Sequence, residues 1–447
     1  MVEKACRQGL CLTARIHYRK SGLRVYGGIT MSMSLKSYEH CCSSLQALAT
    51  LGKIEGVIPL LHGPQPCAYQ TQIGSMTCRP SRLVTAGTLI QKSEVVFGGE
   101  QNLKNQIINI YRQYKPKIIV IINTCLPQLI GEDIKGVISE VEQEIPELRV
   151  TYFDSGFNFP KSLPLGNDVA WTTLVKLLNP MEKVKGSVGL VGRSGQDAGV
   201  FTPVDTFLKE AGITTFAFPA PHLSELEKIV QADILVPMHV VPYLTCKELS
   251  ERFGSRVEYV EVPSGIKGTS GFLRGVADLL KNQKLHDLVD QEEEKMRPRY
   301  EAIKKRFVED PVKVVIAYGP ASEFSMSKIL ADFGAEVIMI PSMKNKFAQA
   351  EKELQKKKYG VTIFEDDFDT LEDVYQMFKP DTIFCEVQGR VEFIPKLMPT
   401  FCNMMFLTAY GYDFALDMGE NFHKNMKREV LETWKDIVKR YGGELHA

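Results

Sequence analysis

Cys42, Cys67 and Cys125 each stand at the end of what reads as a secondary-structure element, where a thiol can face a cavity instead of a packed core. Cys42 opens Cys-Ser-Ser-Leu-Gln-Ala-Leu-Ala-Thr-Leu-Gly, which has the apolar spacing of an amphipathic helix. Cys67 closes His62-Gly63-Pro64-Gln65-Pro66-Cys67, a Gly/Pro-rich turn after the apolar run Val57-Ile58-Pro59-Leu60-Leu61. Cys125 follows the apolar run 118–122, in Asn123-Thr124-Cys125. Iron–sulfur clusters are held by thiolates, and helix starts and glycine-rich turns offer backbone N–H groups that keep a thiolate charged and tune a cluster. The competing reading is inert, because unpaired Cys is among the most buried residue types. Placement alone leaves both readings open. The lack of any C-x-x-C pair speaks against a zinc knuckle. Cys246, in a predicted helix, reads as core, and Cys78, Cys385 and Cys402 as core or incidental thiols.

The elements that must position these thiols follow an alternating rhythm. Apolar, β-branched runs at 117–122, 187–192, 232–237, 312–317, 336–340, 381–384 and 404–407 are separated by helix-length segments. That pattern predicts strands buried on both faces, in parallel sheets with crossover helices: an α/β chain throughout. The strands fall into three groups, predicting an extension at 1–34 and α/β domains at 35–184, 185–306 and 307–447. Residues 287–306, charge-rich and helix-prone, read as a solvated connecting helix broken at Pro298. Turns such as Gly192-Arg193-Ser194-Gly195 and Tyr318-Gly319-Pro320 follow strands, where ligand-facing loops lie, although loops of this kind are more often plain turn chemistry. Neither matches the dinucleotide fingerprint, and no G-x-x-x-x-G-K-[ST] phosphate loop occurs anywhere, so nucleotide hydrolysis by this chain is not expected.

Bulk composition narrows the function class. With 447 residues, 44% of them hydrophobic and 24% charged, the chain can build several cores without disulfide staples. Lys+Arg and Asp+Glu both number 54, which gives no drive towards nucleic acid or an anionic membrane. No apolar run is long enough to span a bilayer, and residues 1–20 lack the continuous apolar segment of a signal peptide. The expectation is a cytoplasmic protein with reduced thiols.

Three segments, in order and with matching spacing, resemble nitrogenase component 1 subunits. His62-Gly63-Pro64-Gln65-Pro66-Cys67 is similar to the family's His-Gly-x-x-x-Cys turn. Val96-Phe97-Gly98-Gly99-Glu100-Gln101-Asn102-Leu103 resembles a second family segment. Asn123-Thr124-Cys125-Leu126-Pro127-Gln128-Leu129-Ile130-Gly131-Glu132-Asp133 resembles a third, of the form Thr-Cys-x-x-x-x-Ile-Gly-Asp-Asp. The separations, 25 residues from Cys42 to Cys67 and 58 from Cys67 to Cys125, are those of the β-type subunit. The strong match covers 38–135; beyond it, the chain shares α/β rhythm and Val262-Pro263-Ser264-Gly265-Ile266.

The resemblance implies three Rossmann-like domains with mainly parallel sheets. It also implies that Cys42, Cys67 and Cys125 supply half the ligands of a P-cluster (8Fe–7S) or a 4Fe–4S cluster. The α-type partner would supply the other half within an α2β2 assembly. Cys41 is an adjacent alternative to Cys42, and a local match places the family's serine ligand at Ser162, two residues further from Cys125 than the pattern. Where α-type subunits have a cofactor-anchoring cysteine after a middle-domain strand, this chain has Val236-Pro237-Met238-His239. His239 and His423 read as structural or solvated. The implied role is therefore electron relay, from a separate ATP-dependent iron protein to a cofactor in the α-type subunit. Dinitrogen, a carbon–sulfur compound and a tetrapyrrole all stand as substrates. The rival reading is a subunit of a scaffold on which the metal cofactor is assembled.

Overall fold

A computed structural model describes residues 43–69, 86–155, 166–192, 203–317, 321–366, 368, 371–384, 400–401 and 411–426. Among these the strands form three sheets, with neighbouring strands paired in parallel throughout. The first has the order β2-β1-β3-β4, from β1 (Val57–His62), β2 (Ala86–Gly87), β3 (Ile118–Asn123) and β4 (Arg149–Asp154). The second, β6-β5-β7-β8, joins β5 (Val184–Val191), β6 (Thr215–Phe218), β7 (Ala232–Pro237) and β8 (Arg256–Val257). The third, β11-β10-β9-β12-β13, joins β9 (Lys313–Ala317), β10 (Glu336–Ile340), β11 (Thr362–Ile363), β12 (Thr382–Phe384) and β13 (Thr400–Phe401). The α/β architecture expected from the rhythm of apolar runs is the one observed. The run at 404–407 lies outside the described residues.

In each sheet the strand order reverses direction once. In the first sheet the chain moves from β1 outward to β2, then crosses to β3 on the other flank of β1. The crevice beyond the carboxyl ends of two such diverging strands is where open α/β sheets bind ligands.

Every residue of β1 and β3 is buried. Val57, Leu61, Ile118, Val120 and Ile122 face a large core shared with the other two sheets, while Ile58, Leu60, Ile119 and Ile121 face a second core. That second core is closed by Leu103, Ile107 and Ile110 of the helix Glu100–Tyr114 and by Ile134, Val137 and Val141 of the helix Ile134–Glu144. These spacings set one apolar stripe along each helix. Pro59 is tolerated inside β1 because, among the described residues, β2 pairs at Leu60 and Leu61 and the strand's neighbour at Pro59 is β3.

Pro298 does not break its helix. The helix Gln283–Glu309 runs through it, with Leu285, Val289, Met296, Ile303 and Phe307 buried on both sides of the proline. Tertiary burial of this stripe outweighs the roughly 3 kcal/mol that an internal proline costs. The segment is thus an amphipathic helix packed on the shared core rather than a solvated connector.

Candidate functional site

Cys67 and Cys125 leave the carboxyl ends of the two strands that diverge in the first sheet. β1 and β3 pair in register through His62 and Asn123, so both thiols emerge from one rim of the sheet. Residues 65–69 turn helical at once, with Cys67 N–H donating to Pro64 O at 3.0 Å. Cys125 is the first residue of the helix Cys125–Ile130, which ends at Gly131 in the left-handed conformation (φ 78°). Both thiols are half-buried. Cys41, Cys42 and Ser162 lie outside the described residues. The helix Ser43–Leu51 begins directly after Cys42 and is anchored in the shared core by Ala47, Leu48 and Leu51. Among the described residues, no three His, Cys, Asp or Glu side chains form a metal-holding group.

The segments carrying the three cysteines are laced together by hydrogen bonds that spacing alone does not reveal. Ser44 Oγ lies 2.6 Å from Ser155 Oγ, and Ser155 donates to Asn123 O through both its N–H (2.8 Å) and its hydroxyl (3.1 Å). This ties the first turn after Cys42 to the strand end before Cys125. Thr124 donates to His62 O from its N–H (3.0 Å) and its hydroxyl (2.8 Å), tying the Cys125 segment to the Cys67 segment. The crossing is so close that a Cβ on Gly63 would fall 2.1 Å from Thr124 Oγ1, which accounts for the glycine in the His-Gly turn.

A second layer lies beneath the rim. His62 is fully buried, with Nδ1 3.0 Å from Thr88 Oγ1 and Nε2 against Glu132 Oε2. The other oxygen of Glu132 accepts from Gly99 N–H at 2.9 Å, and Gly63 N–H donates to Thr88 Oγ1 at 3.1 Å. Asn102 Nδ2 donates to Thr88 O (2.8 Å) and to Glu94 Oε1 (2.6 Å). All three sequence segments singled out above therefore meet in one network. Glu132 and Asn102 lie inside those segments, but Thr88, Ser44 and Ser155 lie in no motif and carried no signal.

Cys246 and His239 behave as core. Cys246 is buried in the helix Tyr243–Phe253, and burial, aided by the nearby Asp168 carboxylate, pushes its thiol well above the usual range. That disfavours the thiolate a metal ligand needs. His239 follows β7 and is buried, which pushes its pKa down to about 4. His423 falls in the helix Tyr412–Met426.

Comparison with known proteins gives a consistent family. Residues 42–423 match the family described as nitrogenase component 1 type oxidoreductase. The nitrogenase iron-molybdenum cofactor biosynthesis protein NifE of Clostridium pasteurianum is 26% identical over 333 residues, covering 71% of each chain. The nitrogenase molybdenum-iron protein beta chain of Crocosphaera subtropica is 24% identical over 264 residues, 53% of this chain and 51% of that one. The corresponding alpha chain of Methanococcus maripaludis is 25% identical over 411 residues, 85% and 83%. The solved structure of nitrogenase Cp1 at pH 6.5 has a TM-score of 0.68 at 17% identity, covering 97% of this chain and 98% of that one. At that identity the likeness concerns the fold.

Proposed function

This chain belongs to the nitrogenase component 1 type oxidoreductases, and from that premise we propose that it is a β-type subunit which co-ligates an iron–sulfur cluster at its interface with an α-type partner. Cys42, Cys67 and Cys125 are its ligands, with Cys41 and Ser162 as lesser candidates. The observation that carries this reading is the departure of Cys67 and Cys125 from adjacent strand ends at the reversal point of one sheet. The donor set suits an iron–sulfur group: two half-buried thiols on a polar rim, each on a segment pinned by hydrogen bonds. When bound, such a cluster supplies a site for single electrons, received from an ATP-dependent iron protein and destined for a cofactor in the α-type subunit. This chain's own part is to hold the thiols at a set spacing and shield them on one side with the shared core, against which Cys67 packs. Val96, Phe97 and Leu129 stand exposed on elements flanking the cysteines, as befits a rim that meets a partner. We assign the cluster-bearing domain to 35–184, the second to 185–306 and the third to 307–447.

The test is the iron and acid-labile sulfide content of the purified complex. Replacing Cys42, Cys67 or Cys125 with Ala should bleach the cluster absorbance and leave most of the fold. Full iron content in all three variants would refute ligation by these residues. A second reading, a cofactor-assembly scaffold, is favoured by the likeness to NifE proteins. Mixing the complex with iron protein, MgATP and a reductant separates the two. Sustained substrate or proton reduction supports the relay, whereas release of a cofactor that activates a separate apo-enzyme, without turnover, supports the scaffold.

A further inference from the structure

We propose that His62, braced by Thr88 and Glu132, is a positioning residue that sets the separation of the Cys67 and Cys125 thiolates, a role that presupposes cluster ligation by these thiols. Its polar atoms grip both thiol-bearing segments. The carbonyl oxygen takes the N–H and the hydroxyl of Thr124, the residue before Cys125. Nε2 meets Glu132, two residues past the end of the helix that Cys125 opens, so the imidazole holds the far end of that helix as well. Nδ1 meets Thr88 Oγ1, which also receives the N–H of Gly63 at the root of the turn leading to Cys67.

The donors and acceptors close without a conflict. With Gly63 N–H on one lone pair of Thr88 Oγ1, the network closes when the hydroxyl donates to His62 Nδ1. The imidazole proton then sits on Nε2 and points at Glu132 Oε2, while Gly99 N–H satisfies Oε1. Both side chains of the His62–Glu132 pair are almost fully buried. In that setting a satisfied network is rigid, and deleting one member leaves the others unpaired. The network reaches the thiols through the segments that carry them. Its leverage is geometric, because groups that orient metal ligands from behind typically change metal affinity by about 10–100-fold when removed.

The purified complex, with its cluster in place, can test this through three variants. Thr88→Val removes the hydroxyl at nearly constant shape and charge. Glu132→Ala removes the clamp and its charge. Glu132→Gln removes the charge but keeps both contacts, its amide oxygen accepting from Gly99 and its NH2 donating to the imidazole in the opposite tautomer. The readouts are the rate of iron loss to bipyridyl, the cluster midpoint potential by redox titration, and the thermal unfolding midpoint. Thr88→Val and Glu132→Ala should lose iron about tenfold or more faster than wild type and shift the potential, while Glu132→Gln retains iron as wild type does. If Glu132→Ala fails to fold, Thr88→Val against Glu132→Gln carries the comparison. Variants that unfold earlier yet keep the wild-type potential and chelator resistance would show a merely structural network and overturn the proposal. A wild-type complex without iron overturns the ligation reading itself, and this role with it.

Discussion

Substituting Gly63 by Ala probes the closest crossing in the site. The added Cβ would lie 2.1 Å from Thr124 Oγ1, 2.9 Å from its Cγ2 and 3.0 Å from its Cβ. Ordinary carbon–oxygen contact needs more than 3 Å, so either the two segments separate by roughly an ångström or Thr124 rotates away. Overpacking of this kind costs about 1–3 kcal/mol. Rotation instead gives up the Thr124 hydroxyl bond to His62 O, worth about 1 kcal/mol. Thr124→Ala alone should cost that same ~1 kcal/mol. In the double variant the clashing Oγ1 and Cγ2 are gone, so its cost should fall about 1–2 kcal/mol short of the sum of the singles. Thermal unfolding of the four apoproteins at one scan rate checks this. At about 2–4 °C per kcal/mol for a unit of this size, Gly63→Ala should melt several degrees early and Thr124→Ala should recover part of the loss. Additivity within about 0.5 kcal/mol would refute the steric account. The same Gly63→Ala chain should retain less iron after reconstitution, since the displaced backbone leads directly to Cys67.

Four further outcomes follow from the buried charges and the buried thiol. Lys328 is fully buried between Glu261 (2.8 Å) and Glu351 (3.0 Å), so Lys328→Met should destabilise by about 3–5 kcal/mol in chemical denaturation, and a neutral result would contradict the burial. Burial pushes the Glu351 carboxyl up, but the Lys328 ammonium and hydrogen bonds from Tyr259, Gln355 and Lys328 outweigh it and hold the pKa below its ordinary value. Its stabilisation is present above the unfolded pKa and lost as pH falls through the folded one, so Glu351→Gln should flatten the acid limb below about pH 4.5. His239, at about 4 when folded against 6.5 unfolded, stabilises fully above pH 6.5 and loses about 3 kcal/mol as pH falls to 4; His239→Gln should remove that slope from a stability–pH profile. Cys246 should resist alkylation in the native protein, and modification at the rate of an exposed thiol would contradict its burial.

Much of the architecture was legible in the order of residues. Two-sided burial writes itself as unbroken β-branched runs, so strands such as β3, β7, β9 and β10 were expected within a residue or two of their observed bounds. The segments at 62–67, 96–103 and 123–133, in order, carried the family resemblance, which the match over residues 42–423 bears out. Pro298 was misread because local propensity penalises it, while the compensation comes from Ile303, Phe307 and other distant packing. Strand order was not legible at all. That β1 and β3 are neighbours, with β2 placed outside them, depends on which apolar faces find each other, and only this adjacency brings the Cys67 and Cys125 segments to one rim.

The chain order therefore determined which residue types were available and at what intervals: thiols at element ends, a glycine where the turn must be bare, and apolar runs with the period of buried strands. The tertiary structure alone decided which of these meet. Thr88 is 26 residues from His62 in sequence, and Glu132 is 70, yet both touch the same imidazole. A hydrogen bond requires two groups within about 3 Å, and residues far apart in sequence come that close only after the sheet has set their register and the surrounding core has excluded water.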